Sequence, residues 1–134
     1  MSIETWKAEF YPEEAADAAE KGAIHAIQHS IVKWKGLRED QLKKHGLTAN
    51  NTHLREAEGL SWEIDSRNCA LCCLVEMGKG RCKSCPIYLC TGRECQDEYI
   101  LFRGTNQPEP MIALLERTLT WAEKQPPEIL DPPP

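Results

Sequence analysis

All seven cysteines of this 134-residue chain lie between positions 69 and 95. Thiols crowded into one short segment bind a metal, form disulfides or carry out redox chemistry. An odd number excludes complete pairing within one chain. The N-terminus has no basic start followed by an apolar block, which predicts a cytoplasmic protein, where reducing conditions disfavour structural disulfides. The segment therefore predicts a metal site.

The spacing of the first four ligand candidates favours zinc. Cys69 and Cys72 are separated by two residues, as are Cys82 and Cys85, and nine residues lie between the pairs. A two-residue gap lets both sulfurs of a pair face one tetrahedral ion, while amides of the turn face the thiolates. The two glycines between the pairs predict a hairpin-like turn. We therefore expect a structural, zinc finger-like site with these four ligands.

Three cysteines remain outside this pattern. Cys95 follows Cys85 after nine intervening residues, so a returning loop would bring it to the metal as a rival ligand. Cys73 directly follows a ligand and must point elsewhere, and Cys90 is interpreted, like Cys73, as a small buried hydrophobe. The rival ligand set is Cys69, Cys72, Cys85 and Cys95.

Two other uses of the thiols fit the spacing less well. An iron–sulfur cluster also takes four thiolates, but the chain lacks the C-x2-C-x2-C run of bacterial ferredoxins. A redox dithiol is expected as one CxxC before a helix in a thioredoxin-like setting. Two neighbouring CxxC pairs therefore favour a metal site, with an iron–sulfur cluster as the remaining alternative.

The sequence contains no pattern typical of catalysis. No nucleophile, base and acid stand out together, and "GKGRCKS" lacks the G-x4-G-K-[ST] pattern of a phosphate-binding loop. Zinc held by four protein thiolates has no open position for water. We therefore expect a protein that is not an enzyme.

The charge distribution argues against tight binding to nucleic acid. The chain carries 21 acidic and 16 basic residues, whereas proteins held by phosphate contacts show a strong basic excess. A small basic patch near the second cysteine pair keeps nucleic-acid binding as an alternative. This patch consists of Lys79, Arg81, Lys83 and Arg93.

Hydrophobic periodicity predicts the secondary structure. Apolar side chains spaced i, i+3, i+7, i+10 predict two amphipathic helices. Period-two alternation over residues 60–65 predicts a half-buried strand, and the apolar run 99–102 predicts a second short strand. The helical stripes are Ile24, Ile27, Ile31 and Trp34 in the first helix, with Val32 widening it, and Ile112, Leu115, Leu119 and Ala122 in the second.

These elements predict an α+β fold that is mostly α, a helical domain with a small β element around the zinc site. A single domain is expected over residues 1–125, and a proline-rich, disordered tail over 126–134. Within the domain we expect a helical part at 12–58, a zinc module at 60–103 and a C-terminal helix at 108–124. No apolar run approaches the ~20 residues that a membrane span needs.

Several segments occur in a familiar order: "AEFYP", "HSIVKWKGL", "NCALC", "CKSCPIYLCTGREC" and "PEPMIALLE". Over residues 8–116 the chain resembles small hypothetical proteins of bacteriophages and prophages with the motif C-x-L-C…C-x2-C-P…G-x2-C. The resemblance implies a helical fold, a metal site and a phage or prophage origin, but no reaction. The cysteines that match the motif are Cys69, Cys72, Cys82, Cys85 and Cys95.

From the sequence we expect a non-enzymatic, zinc-stabilised protein-interaction module of a phage or mobile element. Its partner would be a host or phage protein, and its effect the inhibition of a host process or defence system in the host cytoplasm. The alternative is a zinc-dependent nucleic-acid-binding regulator that uses the basic patch. We expect no membrane partner and no organic cofactor.

Overall fold

The computed structural model describes residues 2–75 and 81–130. Helices dominate this part of the chain, and a small antiparallel sheet lies between them, so the expected α+β, mostly α class is confirmed. The helices are α1 (Ile3–Phe10), α2 (Ala15–Glu20), α3 (Ala23–Lys35), α4 (Glu39–Lys44), α5 (Ala70–Leu74), α6 (Pro86–Thr91), α7 (Gln96–Thr105), α8 (Glu109–Ala122) and α9 (Pro127–Leu130). The strands are β1 (Leu47–Asn50), β2 (His53–Glu56) and β3 (Ser61–Glu63).

The N-terminal helix α1 packs onto the body of the protein. A capping box starts it, because Ser2 Oγ accepts a bond from the Thr5 amide and Thr5 Oγ1 accepts one from the Ser2 amide. Trp6 is fully buried, and its indole N–H donates to the Gly36 carbonyl at 2.8 Å. A Cβ at Gly36 would lie 2.3 Å from the Phe10 ring, so this close approach requires glycine.

Helix α3 is the central helix of the core and follows the predicted stripe. Gly22, with φ of 101°, separates it from α2. Ile24 is half-buried, and Val32 is 42% exposed, so the prediction that Val32 widens the apolar stripe is wrong. The other three predicted stripe residues are buried: Ile27, Ile31 and Trp34.

The sheet lies partly in a segment that the sequence predicted to be helical or turn-like. β1 and β2 form a hairpin around Asn51 and Thr52, which both adopt positive φ, at 51° and 68°. Such a turn matches the twist of the strands, and asparagine tolerates this conformation well. The helical part that was predicted over residues 12–58 therefore gives way to strands from Leu47 onward.

β3 is the part of the predicted strand at 60–65 that pairs in the sheet. Its Trp62 is half-buried and packs between Trp6 and Tyr11, with ring centroids 5.5 and 5.1 Å away. Ile64 is buried as predicted, whereas Leu60 is exposed. After β3, a 3-10 turn over Ser66–Asn68 leads to the first cysteine.

The second predicted strand, at residues 99–102, is wrong, because this run lies inside α7. Asp97 and Glu98 occupy the first turn of the helix, where acidic side chains favour the positive end of the helix dipole. Phe102 is fully buried, and its ring packs edge-on against Trp34 at 5.0 Å.

The C-terminal helix α8 lies within the predicted range of 108–124 and packs against α3. Inside the tail that was predicted to be disordered, Pro127–Leu130 form the short helix α9, and Leu130 is buried. Residues 131–134 and the turn predicted around Gly78 and Gly80 lie outside the described residues. None of the described helices has the length and apolar character needed to cross a membrane.

Candidate metal centre

A cavity of about 420 Å³ lies between α3, α8 and the cysteine segment. Much of its wall is apolar, with Trp34, Ile64 and Leu115 among the lining residues. Five cysteines also line it, and they are the same five that match the phage motif. These are Cys69, Cys72, Cys82, Cys85 and Cys95.

Three of the five cysteines occupy the same position in their helices. Cys69, Cys85 and Cys95 are the N-cap residues of α5, α6 and α7. Cys72 lies inside α5, and Cys82 lies in a 3-10 turn over Arg81–Ser84. The packing of three helix starts against one cavity therefore brings most of these thiols together.

Helix starts place backbone amides near two of the sulfurs. The first amides of a helix have no acceptor within the helix. Amides at the start of α5 work to lower the pKa of Cys69, and those at the start of α6 work to lower the pKa of Cys85. Neither of these two sulfurs forms a capping hydrogen bond in the structure.

The two thiols of the first cysteine pair have pKa values that are shifted in opposite directions. Hydrogen bonding from the Cys72 thiol lowers the pKa of Cys69 to about 5, with help from the Lys33 charge and the amides at the start of α5. The pKa of Cys72 is raised in turn, first because its thiol donates to Cys69 and then by burial. Cys69 therefore loses its proton more readily than Cys72, and a cation bound there would displace the remaining proton.

Cys85 and Cys95 are held neutral by their surroundings when no cation is present. Burial raises the pKa of Cys85 to about 12 and that of Cys95 to about 11, and the negative charge of Cys69 adds to both shifts. Both side chains pack against the hydrophobic core. A divalent cation among them would reverse this preference, because it binds thiolates and not thiols.

Cys82 differs from the other four cavity cysteines. Its pKa is raised by burial and then by a hydrogen bond to the Glu94 carboxylate. A neighbouring carboxylate repels a thiolate, and a cation bound in the cavity would reverse this preference as it would at Cys85 and Cys95.

The cavity is also lined by a buried lysine that the sequence analysis missed. Lys33 on α3 is only 1% exposed, and its Nζ donates to the Asn68 carbonyl oxygen at 2.8 Å. Burial lowers the pKa of Lys33, while negative charge on Cys69 and Cys72 works in the opposite direction. The signal was present, since Lys33 continues a second i, i+3, i+7, i+10 stripe of buried residues. That stripe is Ala23, Ala26, Ser30 and Lys33.

The two cysteines interpreted as bystanders lie elsewhere. Neither Cys73 nor Cys90 is among the residues that line the cavity. The Cys73 thiol donates to the Arg67 carbonyl oxygen at 3.6 Å, and its side chain packs against the core. All seven cysteines are free thiols.

The thiols surround a common space but do not yet converge on one point. Within residues 2–75 and 81–130, no three His, Cys, Asp or Glu side chains form a group that could hold a metal ion. A zinc–thiolate bond is about 2.3 Å long. Metal binding at this cavity would therefore draw the cysteine side chains inward.

Other candidate residues already have partners. His25 and His29 share one helix face, but their Nε2 atoms contact the Glu13 carboxylate and the Glu13 carbonyl oxygen, each at 2.7 Å. In the basic patch, Arg93 forms two bonds with the Glu98 carboxylate, at 2.9 and 2.6 Å. Lys83 is exposed, and Lys79 and the Arg81 side chain lie outside the described part of the chain.

Comparison with protein-family models, with curated proteins and with solved structures finds no match to this chain. The cavity and its residues are therefore the basis for any functional assignment.

Proposed function

We propose that this chain is a non-enzymatic, zinc-stabilised protein-interaction module of a phage or mobile element. It binds a host or phage protein in the host cytoplasm and thereby inhibits a host process or defence system. The observation that carries the metal part is the group of five cysteines around one cavity, together with the buried Lys33.

The donor set selects the metal. Soft thiolates favour zinc, copper(I) and iron–sulfur clusters over magnesium, calcium and manganese. Structural zinc sites with four protein ligands are closed, so they stabilise a fold and leave no position for a reacting water. Zinc with four thiolates carries two negative charges, and the buried ammonium of Lys33 offsets one of them.

The helices around the cavity need such a site. α5 has five residues and α6 has six, far below the length at which a helix is stable in water. At sites formed only in the folded chain, metal-binding energy is folding energy. We therefore assign zinc the role that apolar packing plays elsewhere in the protein.

The partner surface is proposed on the outer sides of α6 and α7. Leu89, Ile100 and Leu101 project from these helices and are 39%, 52% and 43% exposed. Contiguous exposed apolar side chains are typical of protein-binding surfaces, and the proposal requires these three to form one such patch. Zinc would hold the two helices in the orientation that presents these side chains.

The metal part is tested by elemental analysis and colour of protein purified without added metal. We expect one zinc per chain and no colour. Iron with acid-labile sulfide would show a cluster in place of zinc, and protein that folds fully in the presence of chelators would contradict a structural metal.

The partner part is tested by affinity capture from a bacterial host extract, followed by reconstitution with the purified partner. Wild type, Leu101→Glu and a matched control, Ile129→Glu, are compared after nuclease treatment. Ile129 is also exposed, at 45%, but lies on α9. We expect Leu101→Glu to lose the partner and Ile129→Glu to retain it. If the wild type is instead retained on nucleic acid at low salt, and Lys83→Glu abolishes this, the regulator alternative is favoured.

A further inference from the structure

We propose that the free edge of β1 is a second interaction surface, which binds an extended, uncharged peptide segment of another protein as an added strand. The segment pairs with the backbone of Leu47 and Ala49, in a groove beside β1. This surface contains none of the exposed apolar residues proposed above as the partner surface on α6 and α7. It does not depend on the metal either, so the two proposals can fail independently.

The backbone of β1 presents hydrogen-bonding groups away from the sheet. β1 is an edge strand, because the strand order is β1-β2-β3. The Glu56 amide on β2 donates to the Leu60 carbonyl oxygen at 3.0 Å, so it faces β3 and not its register partner Leu47. In an antiparallel pair every second residue has this orientation, so it recurs at the pair of Leu54 with Ala49. The N–H and C=O groups of Leu47 and Ala49 therefore point to the free edge.

These edge groups have no partner in the part of the chain that the structure describes. Apart from the pairing of β1 with β2, no hydrogen bond within residues 2–75 and 81–130 involves Leu47 or Ala49. A row of unpaired backbone groups on an edge strand is a template for pairing with another chain. An extended peptide that adds a strand supplies the matching donors and acceptors.

A groove of about 420 Å³ lies beside this edge, between β1, α4 and the turn from α7 to α8. Its volume falls within the ~300–1,000 Å³ that is typical of ligand sites. Its lining includes three residues of β1 and no described residue of β2, so the groove is on the free side of β1. Three buried leucines give it an apolar floor on which a partner strand can place an aliphatic side chain. They are Leu37, Leu42 and Leu47.

The charged residues that line the groove are paired with one another. Arg38 donates to the Glu109 carboxylate from Nε and Nη2, at 2.7 and 3.2 Å, and Lys43 pairs with Glu39 at 3.1 Å. Each base is matched by one acid, so these side chains give the groove no net charge. An uncharged segment is therefore the electrostatic match, and acidic or basic segments and phosphate groups gain nothing here.

A single strand suits the groove better than a second copy of this chain. The turn from α7 to α8 also lines the groove, and its residues Thr105, Asn106 and Gln107 are exposed. A second copy pairing through its own β1 would bring its own α7–α8 turn and α4 to the same place. One extended segment needs only the spacing between neighbouring strands, about 4.8 Å.

The test uses peptides selected on the purified wild type from a random peptide display library, and their affinities are measured by fluorescence anisotropy. Ala49→Pro removes the N–H at the free edge but no bond to β2, and proline is tolerated at such positions. The matched control is Ala49→Ser, which keeps the N–H. We expect Ala49→Pro to bind the peptides at least tenfold more weakly than wild type, and Ala49→Ser to bind them equally well.

A second measurement uses the wild type, in case Ala49→Pro does not fold. Hydrogen exchange at the Leu47 and Ala49 amides should slow at least tenfold when peptide is added, because these amides gain partners. The amides of Thr48 and Asn50 face β2 and serve as the internal reference. N-methylation of the peptide backbone should abolish binding.

Three results would overturn the proposal. The first is failure to select any peptide, or equal binding of the peptides to wild type and Ala49→Pro. The second is a wild-type dimer that Ala49→Pro converts to a monomer, which would assign the edge to a second copy. The third is loss of peptide binding in Leu101→Glu, which would place the peptides on the α6–α7 surface instead. We expect Leu101→Glu to bind the peptides like wild type.

Discussion

Two regions of this protein are held together in different ways. In the region before the first cysteine, side chains are withdrawn almost completely from water, including Trp6, Ile27, Leu37 and Leu54. In the cysteine segment, residues 69–95, the cysteines are half-buried around an open cavity. We infer that apolar burial stabilises the first region, and the function proposed above makes the cysteine segment depend on an ion.

This difference matches what each segment contains. The first region alternates aromatic and aliphatic side chains at helical spacing, so its helices bury continuous stripes. The cysteine segment has few large apolar residues, and its thiols contribute little when buried compared with leucine or isoleucine. The proposed metal would replace the missing packing with a few strong bonds.

Removing the metal should give the largest effect. Structural zinc in small domains contributes about 10–16 kcal/mol in apparent binding free energy at neutral pH. We expect Cys69→Ser, or a chelator, to melt α5 to α7, which circular dichroism and hydrogen exchange would detect. Hydrogen exchange in α1 and α3 should change much less. Cys90→Ser is the control, and an unchanged melting temperature in Cys69→Ser would contradict the proposed site.

Truncating a core side chain in the first region should lower the stability of the protein without weakening zinc binding. Ile27 is fully buried on α3, and replacing it with alanine is expected to lower the free energy of unfolding by about 2–5 kcal/mol. Zinc affinity of the folded protein should stay the same, because Ile27 is not among the residues that line the cavity. Val32→Ala, at an exposed site on the same helix, should change neither quantity. A weaker zinc site in Ile27→Ala would show that the two regions are coupled.

Lys33 connects the two regions. Its replacement should separate the contribution of its charge from the contribution of its packing. Lys33→Met keeps the length of the side chain but removes the buried ammonium. We expect about 10- to 100-fold weaker zinc binding, as for other residues that support metal ligands from outside the coordination shell. The metal-free protein should become more stable, because a buried charge has been removed.

The matched control for Lys33 is Lys35→Met, since Lys35 lies on the same helix but is only half-buried and pairs with Glu116 at 3.8 Å. It should leave zinc binding and stability unchanged. If Lys33→Met destabilises the metal-free and zinc-bound forms equally, Lys33 serves packing only.

The smallest effect is expected at Tyr11, which belongs to the first region. Its hydroxyl accepts a bond from the Ala15 amide at 2.9 Å, and burial raises its pKa from 10.0 to about 12. Because folding raises this pKa, the contribution to stability is complete below pH 10 and is lost as the pH rises from 10 toward 12. Tyr11→Phe should cost about 1 kcal/mol at neutral pH and flatten this alkaline decline.

The Tyr11 prediction is checked by denaturant unfolding between pH 8 and 11. The difference in tyrosinate absorption between wild type and Tyr11→Phe reports the ionisation of Tyr11. Tyr99→Phe is the control, since its hydroxyl donates to the Ile64 carbonyl instead. An alkaline decline of equal size in wild type and Tyr11→Phe would assign it to another group.

The sequence predicted the regular parts of the fold well. The stripes of α3 and α8 define their own helices, because periodicity along one segment is a local property. Prediction from the sequence failed at the β1–β2 hairpin and at α7, where short apolar runs fit a strand or a helix equally well. The tertiary structure decides both cases. The turn at Asn51 closes the hairpin, and in α7 Phe102 is buried against Trp34.

The cysteine spacing by itself determined that a metal site is expected and narrowed its ligands to five thiols. Only the tertiary structure decided which of these thiols begin helices at one cavity. It also decided that Lys33, a residue usually found in solvent, is buried beside them. Spacing along the chain restricts the relative positions of residues that are close in sequence. The charges and hydrogen-bond donors around each thiol come from segments that are distant in sequence.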